Sequence, residues 1–463
     1  MFLKRYIGDK AFYRRVLMIA IPILIQNGIT NFVSLLDNIM VGQIGTIPMS
    51  GVSIANRLIF IFNLCAFGAT SGAGIFTAQF YGAQDHDGIR YATRFKLLSS
   101  IFLCVLAIGI FLGGGEALIG LYLQGDGDPL EASLTLGYGM TYLRIMLLGL
   151  LPFALSNAYS STLRETGQTI VPMAAGITAV LVNLVCNYIL IFGHFGAPAM
   201  GASGAAVATV ISRYVELSIV VIWSHRHTKE HPHIRELYRS MRIPRALLGN
   251  IMHKGAPLLA NEFFWATGIA FITQRYSTCG LDVVPALNIA TTLKDLAAVT
   301  FIAMGTSVGI IMGQLLGAGA SKSEVLDTNR KLIALSVASA ALFGGLMCAF
   351  AGLFPQLYNT TDSVRQLAGV LIILCGIIMP VNAYAHSAYF TLRSGGQSFI
   401  TFLFDSCFVW GCCVPVSYIL STFTGLSIIP LFAICEGLNV IKCVLGVYMI
   451  KQGKWIKNLS RTS

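Results

Sequence analysis

GIFTAQFYGA, residues 74–83, and GIIMGQLLGA, residues 309–318, carry identical residues at five positions when the chain is shifted by 235 places. Further along, LRETGQ at 163–168 returns as LRSGGQ at 392–397. Chance similarity between apolar segments does not keep its register over such distances. The sequence therefore predicts two repeats of one structural unit. The shared residues of the first pair are, in the first copy, Gly74, Ile75, Gln79, Gly82 and Ala83.

Composition places both repeats in a membrane. Of the 463 residues, 55% are hydrophobic and only 11% charged, and the mean hydropathy is +0.73, far from the values of an ordinary soluble domain. A helix crosses the roughly 30 Å apolar core of a bilayer with about 20 residues. Twelve apolar stretches satisfy this requirement: 16–40, 52–75, 97–121, 135–160, 169–193, 201–224, 252–275, 284–313, 331–354, 366–391, 399–421 and 427–450.

The longest polar connection, residues 225–251, divides these stretches into two groups of six. We predict an N-terminal six-helix lobe at 1–224, a basic cytoplasmic linker at 225–251 that could form an interfacial helix, and a C-terminal six-helix lobe with a short basic tail at 252–463. Since six is even, both repeats enter the membrane in the same orientation, and a pseudo-twofold axis along the membrane normal should relate them. The predicted fold class is an all-α polytopic membrane protein of twelve transmembrane helices, an architecture typical of alternating-access transporters.

Charge gives the orientation. Lysine and arginine are concentrated in alternate connections and at both ends of the chain, so the positive-inside rule predicts cytoplasmic termini in a prokaryotic inner membrane. The net charge of +11 is then a topology signal and not a sign of nucleic-acid binding. Ten of the eleven cysteines lie in apolar stretches, without a CxxC pair, and fit core packing. A Walker motif, a metal-ligand cluster and a Ser-His-Asp arrangement are all missing from the sequence. We therefore expect neither an enzyme nor a cofactor, and an ion gradient as the energy source.

Polar residues in the first stretch recur at three- and four-residue steps and so share one helix face: Asn27, Thr30, Asn31, Ser34, Asp37 and Asn38. A carboxylate near the membrane centre costs about 2.5–3.5 kcal/mol on insertion scales and usually has a partner or an ion. Asn183 and Asn187, four residues apart, also share a face. Interhelical hydrogen bonding is the alternative role for both asparagines.

The second half has acidic candidates of its own. Glu262 follows Asn261 and precedes Phe264 and Trp265, an acidic and aromatic setting that suits an organic cation. Four further charged residues interrupt apolar stretches and are secondary candidates for the site: Lys294, Asp295, Asp405 and Glu436. For Asp405 and Glu436, structural pairing with Lys294 or Lys442 is the alternative role. Pro22 and Pro257 are predicted hinges, with static bends as the alternative.

Taken together, these features resemble the multidrug and toxic-compound extrusion (MATE) family, within the MOP flippase superfamily. The resemblance covers nearly the whole chain. Its carriers are the run from Pro22 through Asp37 to VGQIG, the repeat pair above, NEFFW at 261–265, CEGLNVIK followed by GKWIKN, and NLVCNYILIFGHFGAPAMGASGAAVATVISR at 183–213.

The resemblance implies a coupling-cation site, for H⁺ or Na⁺, formed by Asp37, Asn183, Asn187 and Thr209. Some relatives have a second carboxylate at the position of Asn187; with Asp37 alone, a proton is favoured over sodium. The implied function is ion-coupled antiport that exports small, mostly cationic amphiphiles by alternating access, in a monomer whose only other partners are membrane lipids. A flippase for a lipid-linked precursor is the alternative. The expected substrate pathway combines residues of both lobes: Glu262, Asn261, Phe264, Trp265, Gln26, Asn31 and Ser34.

Overall fold

The computed structural model describes residues 6–123, 129–280 and 282–461, without the side chains of 33–35, 38 and 39. In these residues the chain forms twelve long helices, which agrees with the twelve predicted stretches. Their bounds are α1 Lys10–Gly42, α2 Thr46–Gly82, α3 His86–Gly120, α4 Pro129–Glu165, α5 Ile170–Phe192, α6 Ala202–Arg226, α7 Arg245–Ser277, α8 Val283–Gly317, α9 Lys322–Phe350, α10 Asp362–Ser394, α11 Ser398–Phe423 and α12 Ile428–Gln452.

Several helices extend beyond their apolar stretches. The helix α9 begins nine residues before the apolar stretch at 331, because Ser321 caps its first turn by accepting the Glu324 backbone N–H at 3.3 Å. By length and composition, eleven of the helices in the described residues could cross a membrane. The helix α7 is the exception because Lys254, Asn261 and Glu262 lower its hydropathy.

The connection between α6 and α7 differs from the predicted interfacial helix. Residues 227–244 form a series of turns, which fits the two prolines at 232 and 244. Ile234 and Leu237 are buried against α3, α4 and α6, and the guanidinium of Arg94 in α3 donates to the Leu237 and Glu236 carbonyls at 2.9 and 3.0 Å. The basic linker is therefore packed on the protein through its own backbone.

Two compact units make up the chain. One contains residues 25–77 and 86–251, and the other contains 1–24, 78–85 and 252–463. Both α1 and α2 thus contribute to each unit. The predicted lobe boundaries at 224 and 252 stay a prediction.

The helix α11 contains a feature that hydropathy does not signal. Its residues Leu403–Cys407 and Val409–Cys413 form π-helical turns. Such wide turns are uncommon and are frequent at functional positions. One of them contains Asp405 and Ser406, and both side chains bond to Asn261 of α7.

Candidate ion and substrate sites

The structure brings together the four residues that were predicted to bind a coupling cation. Asn187 donates its amide N–H to Asp37 Oδ1 at 2.6 Å and to Asn183 Oδ1 at 3.1 Å. The Asn183 amide lies 3.2 Å from the Thr209 hydroxyl. If the Asn183 amide is turned over, its nitrogen donates to both Asp37 oxygens at 2.9 and 3.1 Å. In either orientation, Asp37 of α1 accepts from amide groups of α5, and the Thr209 hydroxyl of α6 contacts the Asn183 amide.

Two features of this cluster bear on ion binding. Asn183 and Asn187 are buried, with exposed fractions of 6% and 1%, and the buried Asn187 Oδ1 lacks a hydrogen-bond partner among the described residues. An unfilled buried acceptor is costly and is available to a cation or a protonated group. Within 4 Å of the Asp37 carboxylate, the described part of the chain places neither a lysine nor an arginine.

Sequence reasoning missed three polar residues in the compact unit that contains this cluster: Tyr142, Asn56 and Arg213. Buried Tyr142 in α4 donates its hydroxyl hydrogen to Asn56 Oδ1 at 3.2 Å. Arg213 lies one turn after Thr209 on α6, pairs with Glu216 at 3.5 Å and stacks 4.6 Å above the Phe153 ring. The four-residue spacing from Thr209, the same spacing that identified the asparagine pair, could have indicated Arg213.

Asn261 and Asp405 form a second polar cluster, in the other compact unit. Asn261 donates to Asp405 Oδ2 at 3.1 Å and accepts from the Ser406 hydroxyl at 2.7 Å. The Lys442 ammonium forms an ion pair with Asp405 Oδ1, and its nitrogen lies 5.3 Å from the Phe404 ring centre. Asn261 thus belongs to a filled hydrogen-bond network and, in this structure, supports the π-helical turn.

Lys294 and Glu436 form a further ion pair, at 2.9 Å between α8 and α12. The alternative of structural pairing is thereby realised for Asp405 and Glu436, each with a different lysine. The carboxylate that pairs with Lys294 is therefore Glu436 on α12 and not the adjacent Asp295. Breaking such a pair leaves a buried charge without compensation, a large cost.

Glu262, Phe264 and Trp265 share a segment of α7. Glu262 is half-buried and the two rings are exposed, by 42% for Phe264 and 40% for Trp265. The Phe264 backbone carbonyl accepts the Trp410 indole N–H at 2.8 Å, which ties this segment to α11. These side chains thus have accessible surface, and their role in the substrate pathway stays a prediction.

The remaining predicted residues lie elsewhere. Gln26 is eleven residues before Asp37 on α1, about 16 Å along the axis, and its Oε1 lies 3.5 Å from Arg164 of α4. Asn31 is exposed, and the Ser34 side chain lies outside the described residues. Pro22 and Pro257 occupy equivalent positions inside α1 and α7. In the described residues, His, Cys, Asp and Glu do not form a group of three that could hold a metal ion.

Comparisons with known proteins agree with this architecture. The family model MatE matches residues 22–189 and 259–419. The probable multidrug resistance protein NorM of Thermotoga maritima is 22% identical over 96% of this chain and 93% of its own length. The multidrug resistance protein NorM of Vibrio cholerae is 25% identical over 90% of this chain and 89% of its own.

Solved structures give the fold. An outward-facing multidrug resistance MATE family transporter of the MOP superfamily superposes with a TM-score of 0.85, at 18% identity, over 97% of this chain and 98% of its own. A MOP superfamily transporter from Pyrococcus furiosus, described with a binding pocket of reverse polarity, gives 0.83 at 19% identity over the same shares. The predicted fold class is thereby confirmed: an all-α membrane protein with the two-lobe, twelve-helix arrangement of the MATE fold.

Proposed function

Because the chain belongs to the MatE family, whose members are membrane transporters and not enzymes, we propose that it exports small, mostly cationic amphiphilic compounds in exchange for H⁺ or Na⁺. The observation that carries this proposal is the carboxylate of Asp37, which accepts from the buried amides of α5 and has no lysine or arginine within 4 Å among the described residues. A carboxylate in this setting gains most when a cation binds it. The multidrug resistance names of the relatives support the substrate class.

Ion coupling follows from the energy of one charge. Moving one elementary charge through about 100 mV yields roughly 2.3 kcal/mol, which sustains a substrate gradient of about fiftyfold. One ion at Asp37 is therefore sufficient for a useful export ratio.

The amide geometry favours the proton over sodium. Sodium, a hard cation, needs several oxygen ligands, as calcium and magnesium do. Here the Asn187 nitrogen, at 2.6 Å, already points an N–H at the carboxylate oxygen that such an ion would use. A proton needs one carboxylate oxygen only. The site as arranged thus suits H⁺ better, and Na⁺ would require the amides to rotate.

The decisive experiment is efflux from inverted membrane vesicles under an imposed proton or sodium gradient, with a fluorescent cationic dye as substrate. We expect a proton gradient alone to drive accumulation of the dye. Transport that needs sodium at every pH would replace H⁺ by Na⁺, and transport that ignores both gradients would remove the antiport proposal.

Asn187→Asp tests the assignment of the coupling ion by making the site more favourable for sodium. The substitution replaces the amide nitrogen and its competing N–H by a second oxygen ligand, and it adds a negative charge beside Asp37. We expect sodium to stimulate efflux in this variant and not in the wild type, measured in the same vesicles. Asn187→Ser, which removes the amide without adding charge, is the matched control.

For substrates we propose that Glu262, Phe264 and Trp265 contact the cationic centre. An ammonium or flat aromatic cation over an indole ring gains about 0.5–2 kcal/mol. The exposed rings and half-buried carboxylate support this role, whereas the ion-paired Asp405 and Glu436 are already neutralised. Gln26 and Asn31 would contact the substrate at other positions along α1.

We further propose an inner-membrane location with both termini in the cytoplasm, based on the positions of the basic residues. A cysteine at position 127 should then react with an impermeant thiol reagent added outside intact cells, and one at position 228 should not. The opposite pattern would reverse the orientation.

We also propose that a single chain is the functional unit. Protein reconstituted at one copy per nanodisc should then bind substrate, and loss of binding in such nanodiscs would contradict a functional monomer.

A further inference from the structure

Residues 453–461, which we call the C-terminal tail, pack against the ends of α8 and α10. Trp455 is only 1% exposed. Asn458 donates its amide N–H to the Gly317 carbonyl at 3.2 Å, and Gln397 donates to the Lys454 carbonyl at 3.2 Å. The tail is therefore an ordered part of the second compact unit and not a loose end.

The tail also holds the end of α2 through a single side chain. Gln79 is fully buried. Its Oε1 accepts the Leu459 backbone N–H at 2.6 Å, and its Nε2 donates to the carbonyls of Lys457 at 3.2 Å and Ser394 at 2.8 Å. The Gln79 amide thus bonds to the tail backbone as both acceptor and donor, as one β-strand bonds to the backbone of the next.

Close backbone packing surrounds this contact. A Cβ added at Gly317 would lie 1.8 Å from the Gln79 carbonyl oxygen, and one added at Gly82 would lie 1.9 Å from the Gln314 carbonyl oxygen. The ends of α2 and α8 therefore approach each other as only glycine permits. Two independent features, the glycine crossing and the glutamine bonds, fix the same short segment of α2.

That segment is where α2 changes unit. Residues 46–77 of α2 belong to one compact unit, and 78–85 belong to the unit that contains the tail. In alternating access the two bundles of a transporter move against each other around the substrate site. A helix that contributes to both units must then either bend or change its contacts.

We propose that the C-terminal tail is a releasable latch, which holds the end of α2 through Gln79 in the conformation described here and lets it go once in each transport cycle. The latch rests on the proposed alternating-access function and adds a moving part to it. Hydrogen bonds suit this role because they can be exchanged for bonds to water when the contact opens, so that each contributes only a small net free energy.

Cross-linking tests the latch. In a variant whose native cysteines are replaced, Gln79→Cys and Leu459→Cys are joined by a short, cleavable bis-methanethiosulfonate reagent. We expect dye efflux in inverted vesicles to fall at least tenfold after cross-linking and to return after reduction. Full efflux in the cross-linked protein would overturn the latch, because the tail would then remain on α2 throughout the cycle.

The matched control joins the tail to its own unit. Gln397→Cys with Lys454→Cys links two residues within 252–463 that are already in contact, and cross-linking this pair should leave efflux unchanged. If it also stops efflux, general loss of tail flexibility explains the result and the latch at Gln79 is wrong.

A second measurement does not need transport and so separates the latch from the proposed function. In purified protein, the rate at which a single cysteine at Leu459 reacts with an impermeant maleimide should rise at least threefold when Gln79→Leu is added. An unchanged rate would show that Gln79 does not hold the tail. Absence of efflux from the untreated, cysteine-replaced protein, with the wild type also inactive, would instead refute the proposed function.

Discussion

Carboxylates lie inside both halves of the molecule, but their surroundings differ. Asp37 receives amide N–H groups, and its ligands carry no charge. Asp405 and Glu436 each contact a lysine, Lys442 and Lys294 respectively. A paired carboxylate has little to gain from a mobile cation, whereas Asp37 has much to gain. From this comparison we expect the charge of the contacting groups, more than the number of acidic residues in a span, to distinguish a coupling site.

The largest effect should come from Asp37→Asn, which removes the one carboxylate of the amide-lined cluster. We expect gradient-driven efflux to be lost, while the purified variant keeps its elution profile and thermal unfolding temperature. Efflux in inverted vesicles is the measurement. Wild-type efflux rates in this variant would refute the proposed role of Asp37 in coupling, and with it the functional difference between Asp37 and the lysine-paired carboxylates.

Next in size is the effect of Lys442→Met on stability. The change leaves the Asp405 carboxylate, which is 17% exposed, without its counter-charge, and breaking a buried pair from one side costs at most about 3–5 kcal/mol. The double variant Lys442→Met with Asp405→Leu should recover most of that loss, as followed by thermal unfolding in detergent. If the double variant also fails to transport, although it is stable, the pair has a role in transport besides its structural one.

Glu262→Gln should have a smaller and selective effect. Loss of the charge beside Trp265 should weaken export of cationic dyes by about tenfold, which corresponds to about 1.4 kcal/mol, and should weaken export of neutral compounds less. Competition efflux with a cationic and a neutral dye measures the difference. Equal losses for both dyes would move Glu262 from substrate recognition to ion coupling or folding.

The smallest effect concerns Thr209→Val. The hydroxyl that contacts Asn183 at 3.2 Å is lost, and one hydrogen bond contributes about 1 kcal/mol. The concentration of coupling ion that gives half-maximal efflux should therefore rise by about fivefold, with maximal efflux retained. Thr209→Ser keeps the hydroxyl and should behave as the wild type. A loss as large as that of Asp37→Asn would show that Thr209 contacts the ion itself.

The sequence predicted what depends on periodicity. Apolar runs of about 20 residues located all twelve helices, and four-residue spacing placed Asn183 and Asn187 on one face beside Asp37. Contacts between distant segments were harder. Two lysines and two carboxylates allowed two pairings, and only the fold selects Lys294 with Glu436. The repeat alignment contained Gln79, yet nothing local in the chain predicts that the tail binds it.

Other differences have local causes that hydropathy does not measure. The linker at 227–244 has basic and apolar residues in an order that suits a surface helix, but its prolines and the carbonyl bonds from Arg94 favour turns. The first π-helical turn of α11 contains Ser406 and Asp405, whose contacts with Asn261 are made to another helix and so leave no local signal in the sequence. Arg213 was missed because the four-residue spacing from Thr209 was not extended along α6.

The crossing of α2 and α8 has a meaning beyond transport. Gly82 lies against the Gln314 carbonyl, and Gly317 lies against the Gln79 carbonyl; a shift of 235 residues turns each contact into the other. Such reciprocity is the mark of an isologous interface, in which one surface meets an identical copy of itself. The sequence repeat therefore returns in the structure as a reciprocal backbone contact inside one compact unit. Each copy of the repeat supplies the glycine that the close approach requires, together with the backbone carbonyl that the other copy's glycine meets.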